Sequence, residues 1–194
     1  MKIKLIDSAK VKKDGSIVLT DDFHQSGRVM VADKLNLVKK PWHLNATVSM
    51  SENKGISDAD GPGGDGIWFE FNERTLAIGL DSFYNEYNKS GNEINLFLEG
   101  QVVAQEQSPF KLNSGEEITI DVYCIPQPKT TLIVLVNKKP VIIYPFKTIN
   151  LLDLFEGGAS FSIFAFTGDA SSKQIVHNVS LQYFEAKDLL SMLS

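Results

Sequence analysis

The sequence is nearly devoid of cysteine: Cys124 is the only one in 194 residues. An intrachain disulfide is therefore excluded, and the position of Cys124 inside the apolar run Ile118 to Ile125 reads as a buried thiol. This leaves the compartment open, because bacterial surface proteins and cytosolic proteins both fold without disulfides. Long apolar runs are missing too. Nothing approaches the roughly 20 residues of a membrane helix, and Met1-Lys2-Ile3-Lys4-Leu5-Ile6-Asp7 has no apolar stretch of signal-peptide length, so no membrane insertion is expected. There is no excess of basic charge. With 19 Lys and Arg against 24 Asp and Glu, the net charge is -5, which argues against nucleic acid or an anionic membrane as partner, since both are bound by basic surfaces. Internal repeats, low-complexity tracts and helical periodicity are nearly or wholly lacking, which removes solenoids and bundles.

What remains is a chain with ordinary globular composition, 43% hydrophobic and 22% charged, long enough for one core. Short apolar runs alternate with turn chemistry about every 8 to 12 residues, the signature of an antiparallel β-sandwich. A single domain is expected over residues 1–185, with a short amphipathic tail over 186–194 around Leu189 to Leu193. Asp14-Gly15 supplies the tight turn of an opening hairpin between Val11 and Thr20. Gly27 to Ala32 reads as a third strand. Pro41 to Met50 alternates strictly, with Trp42, Leu44, Ala46, Val48 and Met50 on a core face. His43, Asn45, Thr47 and Ser49 take the other face, where His43 reads as an ordinary surface histidine. Ser51 to Gly64 is the longest aperiodic stretch and reads as a loop, its Asp58 and Asp60 as solvated turn residues. Further strands are expected over Ile94 to Val103, Glu117 to Cys124, Thr131 to Val136 and Pro140 to Tyr144. The last pair is joined by the turn Asn137-Lys138-Lys139. Leu151 to Phe155 reads as one helical turn after a capping Asn150. Strands over Ala159 to Phe166 and Ile175 to Phe184 close the chain, with a loop from Thr167 to Lys173 between them.

The chain is organised around Gly63-Gly64-Asp65-Gly66-Ile67-Trp68-Phe69-Glu70-Phe71 and Leu76-Ala77-Ile78-Gly79-Leu80-Asp81-Ser82-Phe83-Tyr84-Asn85. Each joins a polar or glycine-rich loop to an apolar strand, setting acids and an amide at a sheet edge. Hydrolytic chemistry finds little support. Glu117 and Asp121 share a face but lie roughly 13 Å apart along a strand, too far for a glycosidase pair, while Glu70 and Asp81 could meet only across strands. His24, His43 and His177 accompany no Gly-x-Ser-x-Gly elbow and no clustered zinc ligands. Gly61-Pro62-Gly63-Gly64 lacks the Lys-Ser/Thr of a phosphate loop. Asp81-Ser82-Phe83-Tyr84-Asn85 suits calcium better, because carboxylate, carbonyl and amide oxygens at alternating positions can face one point. The same five residues also read as a plain strand end.

Four segments in order resemble the L-type (legume-like) lectins and cover most of the chain. They are the opening hairpin Ser8 to Thr20, Gly64 to Phe69, Leu76 to Asn85, and Glu117 to Gly168 with its ending Phe161-Ser162-Ile163-Phe164-Ala165-Phe166-Thr167-Gly168. The resemblance implies a concanavalin A-like jelly roll, an all-β antiparallel sandwich. It implies that Asp65, after a cis peptide, accepts hydrogen bonds from sugar hydroxyls. It implies calcium ligands at Asp81, the Phe83 carbonyl and Asn85, with Asn85 also donating to sugar, and a specificity loop at Gly168-Asp169-Ala170-Ser171. Tyr84 or Tyr87 would add an aromatic face for a sugar ring.

Departures from the pattern matter. The family's transition-metal Glu is Gly79 here, its second metal Asp aligns near Lys89 with Asn88 or Asn92 as imperfect substitutes, and its metal His falls near Glu93. No transition metal is therefore expected. The connection between Phe71 and Leu76 is also shorter than in plant lectins. The expected function is a carbohydrate-binding module, with no enzymatic activity, whose partner is a glycan or glycoprotein. The resemblance implies an extracellular or cell-surface setting, and pairing through sheet edges into a homodimer stays open. The alternatives are a structural or protein-binding sandwich that has lost sugar and metal, and, more distantly, a glycan hydrolase.

Overall fold

The computed structural model describes residues 2–55, 57–58, 61–62, 65–83, 90–126, 129–147, 151–155 and 157–189. In chain order the strands are Ile3–Asp7 (β1), Lys10–Val11 (β2), Ile17–Thr20 (β3), Ser26–Leu35 (β4), Trp42–Gly55 (β5), Ser57–Asp58 (β6), Gly61–Pro62 (β7) and Gly66–Phe71 (β8). They continue with Leu76–Asp81 (β9), Glu93–Leu98 (β10), Gln101–Gln107 (β11), Ser114–Ile125 (β12), Thr131–Val136 (β13), Lys139–Pro145 (β14), Ala159–Phe166 (β15) and Ala170–Tyr183 (β16). One helical turn, Leu151–Leu154 (α1), and a 3-10 turn, Ala186–Asp188, complete the described elements. Leu190 to Leu193 of the expected tail lie outside the described residues.

Two seven-stranded antiparallel sheets form the sandwich. Sheet I has the order β1-β4-β15-β8-β9-β10-β11, and sheet II the order β14-β13-β12-β5-β16-β3-β2. The period-2 pattern explains how they meet, because alternate residues of each strand turn to the opposite sheet. On β5, Trp42, Leu44, Ala46, Val48 and Met50 are completely buried, as the alternation predicts. Sheet I answers with Ile67, Phe69 and Phe71 of β8 and Leu76, Ile78 and Leu80 of β9, also completely buried. An aromatic contact joins the layers, with Trp42 and Phe71 ring centres 5.2 Å apart, and within sheet I the paired Phe71 and Phe161 rings lie 4.9 Å apart. Each such fully buried side chain contributes about 1.5–3 kcal/mol. Leu151 and Phe155, on and just after α1, are buried against the same core. Cys124 is buried on β12, and its burial pushes the thiol pKa far up.

Turn chemistry sets the registers. Gly15 has φ +87° between β2 and β3. Asn137 and Lys138 both adopt positive φ and connect β13 to β14 in two residues, as the strand twist of a tight hairpin demands. Asn72, Glu73 and Arg74 are likewise left-handed and make the short β8–β9 connection.

Four expectations are corrected. The Ser51 to Gly64 stretch is not a long loop: β5 runs on to Gly55, where it pairs with β16 at Ala170, and β6 and β7 form a small hairpin. The run Ile94 to Val103 is two strands, reversed at Glu99 and Gly100 with φ of 49° and 76°. The loop after β15 is only residues 167–169, since Ala170 to Lys173 already belong to β16. His43 is no surface histidine. It is 8% exposed, because sheet II puts Tyr123 and Gln182 beside it. The Tyr123 ring stacks on the imidazole at 4.2 Å, and Phe184 covers Tyr123 edge-on.

Candidate functional site

The site grows from the β8–β9 pairing. Gly66 opposes Asp81 in the register, so the residue before β8 and those after β9 emerge side by side. The Ser82 amide donates to the Asp65 carbonyl at 3.0 Å and fixes that adjacency. Gly66 makes it feasible: its φ is +150°, and a Cβ there would stand 2.1 Å from the Leu80 carbonyl oxygen. An L side chain has no room at this backbone crossing.

Sheet I brings two more loops to the same edge. Phe166 of β15 pairs with Gly66 of β8 and with Ser26 of β4, so loop 167–169 and loop 21–25 flank Asp65. The two loops are stitched together. Thr167 Oγ1 donates to the Asp22 carbonyl at 2.6 Å, the Thr167 amide to the Gln25 carbonyl at 2.8 Å, and the His24 amide to the Gly168 carbonyl at 3.2 Å. Asp65 Oδ2 lies 3.8 Å from the position a Gly168 Cβ would take, so the missing side chain at 168 leaves the carboxylate uncovered on that side. Burial pushes the Asp65 carboxyl above its ordinary pKa. Asp169 faces solvent, with its Oδ1 3.3 Å from Nε2 of the equally exposed His24. Loop 21–25 was missed by the sequence reading. Its polar run Asp21-Asp22 with Phe23 and His24, between two strands, was the available signal.

Asp81 closes β9 and is buried, and its Oδ1 accepts the Phe83 amide at 3.2 Å. Its partner across the β9–β10 register is Glu93, a second buried carboxylate. Glu93 is engaged already, accepting from the Ser90 amide at 2.6 Å and from Gln105 Nε2 at 2.5 Å. Asn92 is occupied as well: its Nδ2 donates to the Phe110 carbonyl at 2.8 Å and its Oδ1 accepts the Leu112 amide at 2.8 Å. Asn85, Tyr84, Tyr87, Asn88 and Lys89 lie outside the described residues. Among the described residues no group of three or more His, Cys, Asp or Glu is arranged to hold a metal.

Gly79 has a positive physical role. A Cβ there would come within 2.6 Å of Trp68 Nε1 and 2.9 Å of its Cδ1, so the Trp68 indole lies across the space a side chain at 79 would use. A Glu at this position and the observed indole are mutually exclusive. Glu70, on the same outward face of β8, accepts from Arg28 at 2.6 Å and from Arg74 at 3.2 Å. It stands opposite Ala77, four positions from the level of Asp81. That is roughly 14 Å along the strands, beyond either glycosidase spacing.

No protein-family profile matches the chain, and no curated protein matches it by sequence. Solved structures do match. The Emp46p carbohydrate recognition domain in its metal-free form superposes with a TM-score of 0.71 at 14% identity, covering 92% of this chain and 87% of that one. The VIP36 exoplasmic/lumenal domain in its Ca2+/Man3GlcNAc-bound form gives 0.72 at 16% identity, covering 95% and 86%. Peanut lectin with a 9mer peptide gives 0.70 at 12% identity, covering 94% and 93%.

The fold is that of the L-type lectins. Within this sandwich, loops 21–25 and 167–169, Asp65 and the Ser82–Phe83 segment share one edge of sheet I. The single-domain, concanavalin A-like all-β architecture expected from the sequence is the one observed. The β8–β9 turn at residues 72–75 is the short connection noted above, and it sits at the opposite end of those strands from Asp65.

Proposed function

We propose that the chain binds carbohydrate through Asp65, the acceptor for sugar hydroxyls. The observation that carries this reading is the half-buried Asp65 carboxyl beside the bare Cα of Gly168, at the meeting point of four loop segments. A partly dehydrated carboxylate hydrogen-bonds hydroxyls more strongly than a solvated one, which is how a small polar site gains affinity. Gly168 and Asp169 supply the rim, Asn85 the amide donor, and Tyr84 or Tyr87 the apolar face. The partner is a glycan or a glycoprotein, met in an extracellular or lumenal setting. Nothing in this scheme calls for bond cleavage.

The donor set suits calcium. Asp81 carboxylate and Phe83 carbonyl are hard oxygens, and a buried carboxylate facing Glu93 across one register pair is relieved by a nearby cation. Asn85 would complete the set. When bound, calcium supplies charge neutralisation and order to the segment after β9; hydroxyl recognition rests on Asp65 and its rim. A transition metal does not fit, because the Trp68 indole lies where a ligand at 79 would reach.

A glycan array probed with calcium and with chelator tests the proposal. Binding lost in Asp65→Ala supports it, and an array silent under both conditions ends it. The engagement of Asn92 and Glu93 in structural hydrogen bonds favours a second reading, a sandwich that binds protein and not sugar. A melting temperature indifferent to calcium, with Asp65→Ala behaving as wild type, would select that one.

A further inference from the structure

A cleft of about 460 Å³ runs over the outward face of sheet I, and Asp81 is one of its walls. Asp81 pairs with Gly66, the residue after Asp65, so this end of the cleft lies next to the proposed sugar site in the sheet register. Trp68 forms the floor, half-buried Phe97 and Phe166 flank it, exposed Val102 of the edge strand β11 forms one side, and Arg74 stands at the far end. From Asp81 back to Leu76 is five steps of β9, roughly 17 Å at about 3.4 Å per residue, so the cleft is elongated along the strand.

Its lining is amphipathic in a specific way. Trp68 and Phe166 stack at 4.9 Å with planes 16° apart, and the Arg74 guanidinium lies 5.8 Å from both the Trp68 and Phe97 rings. Glu70 is shared by Arg28 and Arg74, two cations on one carboxylate, and Arg74 is the more exposed of the two. Part of its donor fork is thus left for a ligand. Gln101 and Gln105 add amide groups to the same lining. Aromatic surface beside amide and guanidinium groups is the lining a sugar ring selects.

We propose that this cleft is a second saccharide subsite, taking the further rings of an oligosaccharide whose first ring is held at Asp65. The inference rests on the carbohydrate-binding reading of that site and extends it from a single sugar to a chain. The longer chain lies along β9, packs on Trp68, Phe97 and Phe166, and ends at Arg74.

An array of matched mono-, di-, tri- and tetrasaccharides tests this against wild type, Arg74→Ala, Trp68→Phe and Val102→Trp. Affinity should rise with chain length in the wild type. Trp68→Phe keeps one aromatic ring and removes the indole's second ring with its N–H, and Val102→Trp fills the cleft from an exposed position. Each variant should lower the ratio of tetrasaccharide to monosaccharide affinity about tenfold, the size of one lost hydrogen bond or a blocked contact. A ratio that stays at the wild-type value in all three overturns the subsite and leaves the Asp65 reading standing. Length-independent wild-type binding does the same. A wild type that binds no glycan of any length overturns both.

Discussion

The Asp65 carbonyl accepts the Ser82 amide at 3.0 Å, one step beyond the register pair of Gly66 and Asp81. The acid proposed to meet sugar and the segment proposed to hold calcium are therefore coupled through the main chain. A displacement of either must strain this bond, and side-chain substitutions can be used to probe each without cutting the link.

Asp65→Asn should exchange function for stability. Burial holds the Asp65 carboxyl above its ordinary 3.8. A folded pKa above the unfolded one means tighter proton binding in the folded state. The group's favourable contribution is then complete below 3.8 and lost as pH rises through the raised folded value. At neutral pH the wild type carries the cost of a dehydrated charge. The neutral amide should melt higher than wild type there, and the gap should close as pH falls into the acid range. Calorimetry across about pH 3 to 7 measures this, and the same variant should fail to bind glycan.

Gly66→Ala should be costly although it adds one methyl. The Cβ would meet the Leu80 carbonyl at 2.1 Å with φ at +150°, and backbone cannot rotate away. A loss of about 2–4 kcal/mol is expected, roughly 4–16 °C in melting temperature. A variant that melts with the wild type would refute the tight crossing.

Gly79→Ala should report on Trp68 directly. Trp42 and Trp68 are the only tryptophans, and Trp42 is completely buried in the core, so a change in emission belongs to Trp68. Displacing the indole from its place 2.6 Å from the added carbon should shift emission to the red. It should cost about 1–3 kcal/mol.

The covered polar cluster on sheet II gives a fourth outcome. Asp121 Oδ1 accepts from Asn45 Nδ2 at 2.8 Å and lies 2.7 Å from His43 Nε2, while Gln182 Nε2 lies 3.3 Å from His43 Nδ1. Burial pushes the Asp121 carboxyl up, but the hydrogen bonds of His43 and Asn45, with the charges of His43 and Lys138, outweigh it and hold the pKa below 3.8. A depressed carboxyl stabilises above its unfolded pKa and loses that contribution as pH falls through the folded value. Asp121→Ala should cost about 2–3 kcal/mol at neutral pH by leaving buried groups without their acceptor. Its deficit should shrink in strong acid.

Calcium should raise the melting temperature of the wild type and leave Asp81→Ala unmoved. A ligand at a hundred times its dissociation constant adds about 2.7 kcal/mol, roughly 5–10 °C for a domain of this size. Equal melts in calcium and chelator would remove the ion from the proposed site.

Much of the architecture was legible because a sandwich writes its period into its strands. The alternation from Trp42 to Met50 and the hairpins at Asp14-Gly15 and Asn137-Lys138 are local signals, and the structure follows them. Long-range effects escaped. The extension of β5 through Ser51 to Gly55 carries no apolar alternation and is specified by its partner β16. His43 is buried by Tyr123, far along the chain, under a cover provided by Phe184. At the site, Asp65 and Gly168 were named through family resemblance. Loop 21–25, which is bonded to Thr167 and Gly168, has no motif to announce it.

Cys124 has a consequence for handling. The lone thiol is completely shielded in the middle of β12, and its burial holds it protonated far above physiological pH. Thiolate is the species that oxidants and exchange partners attack. In the folded state, then, Cys124 is shielded from thiol exchange and oxidation, and the chain, with one cysteine, forms no internal disulfide.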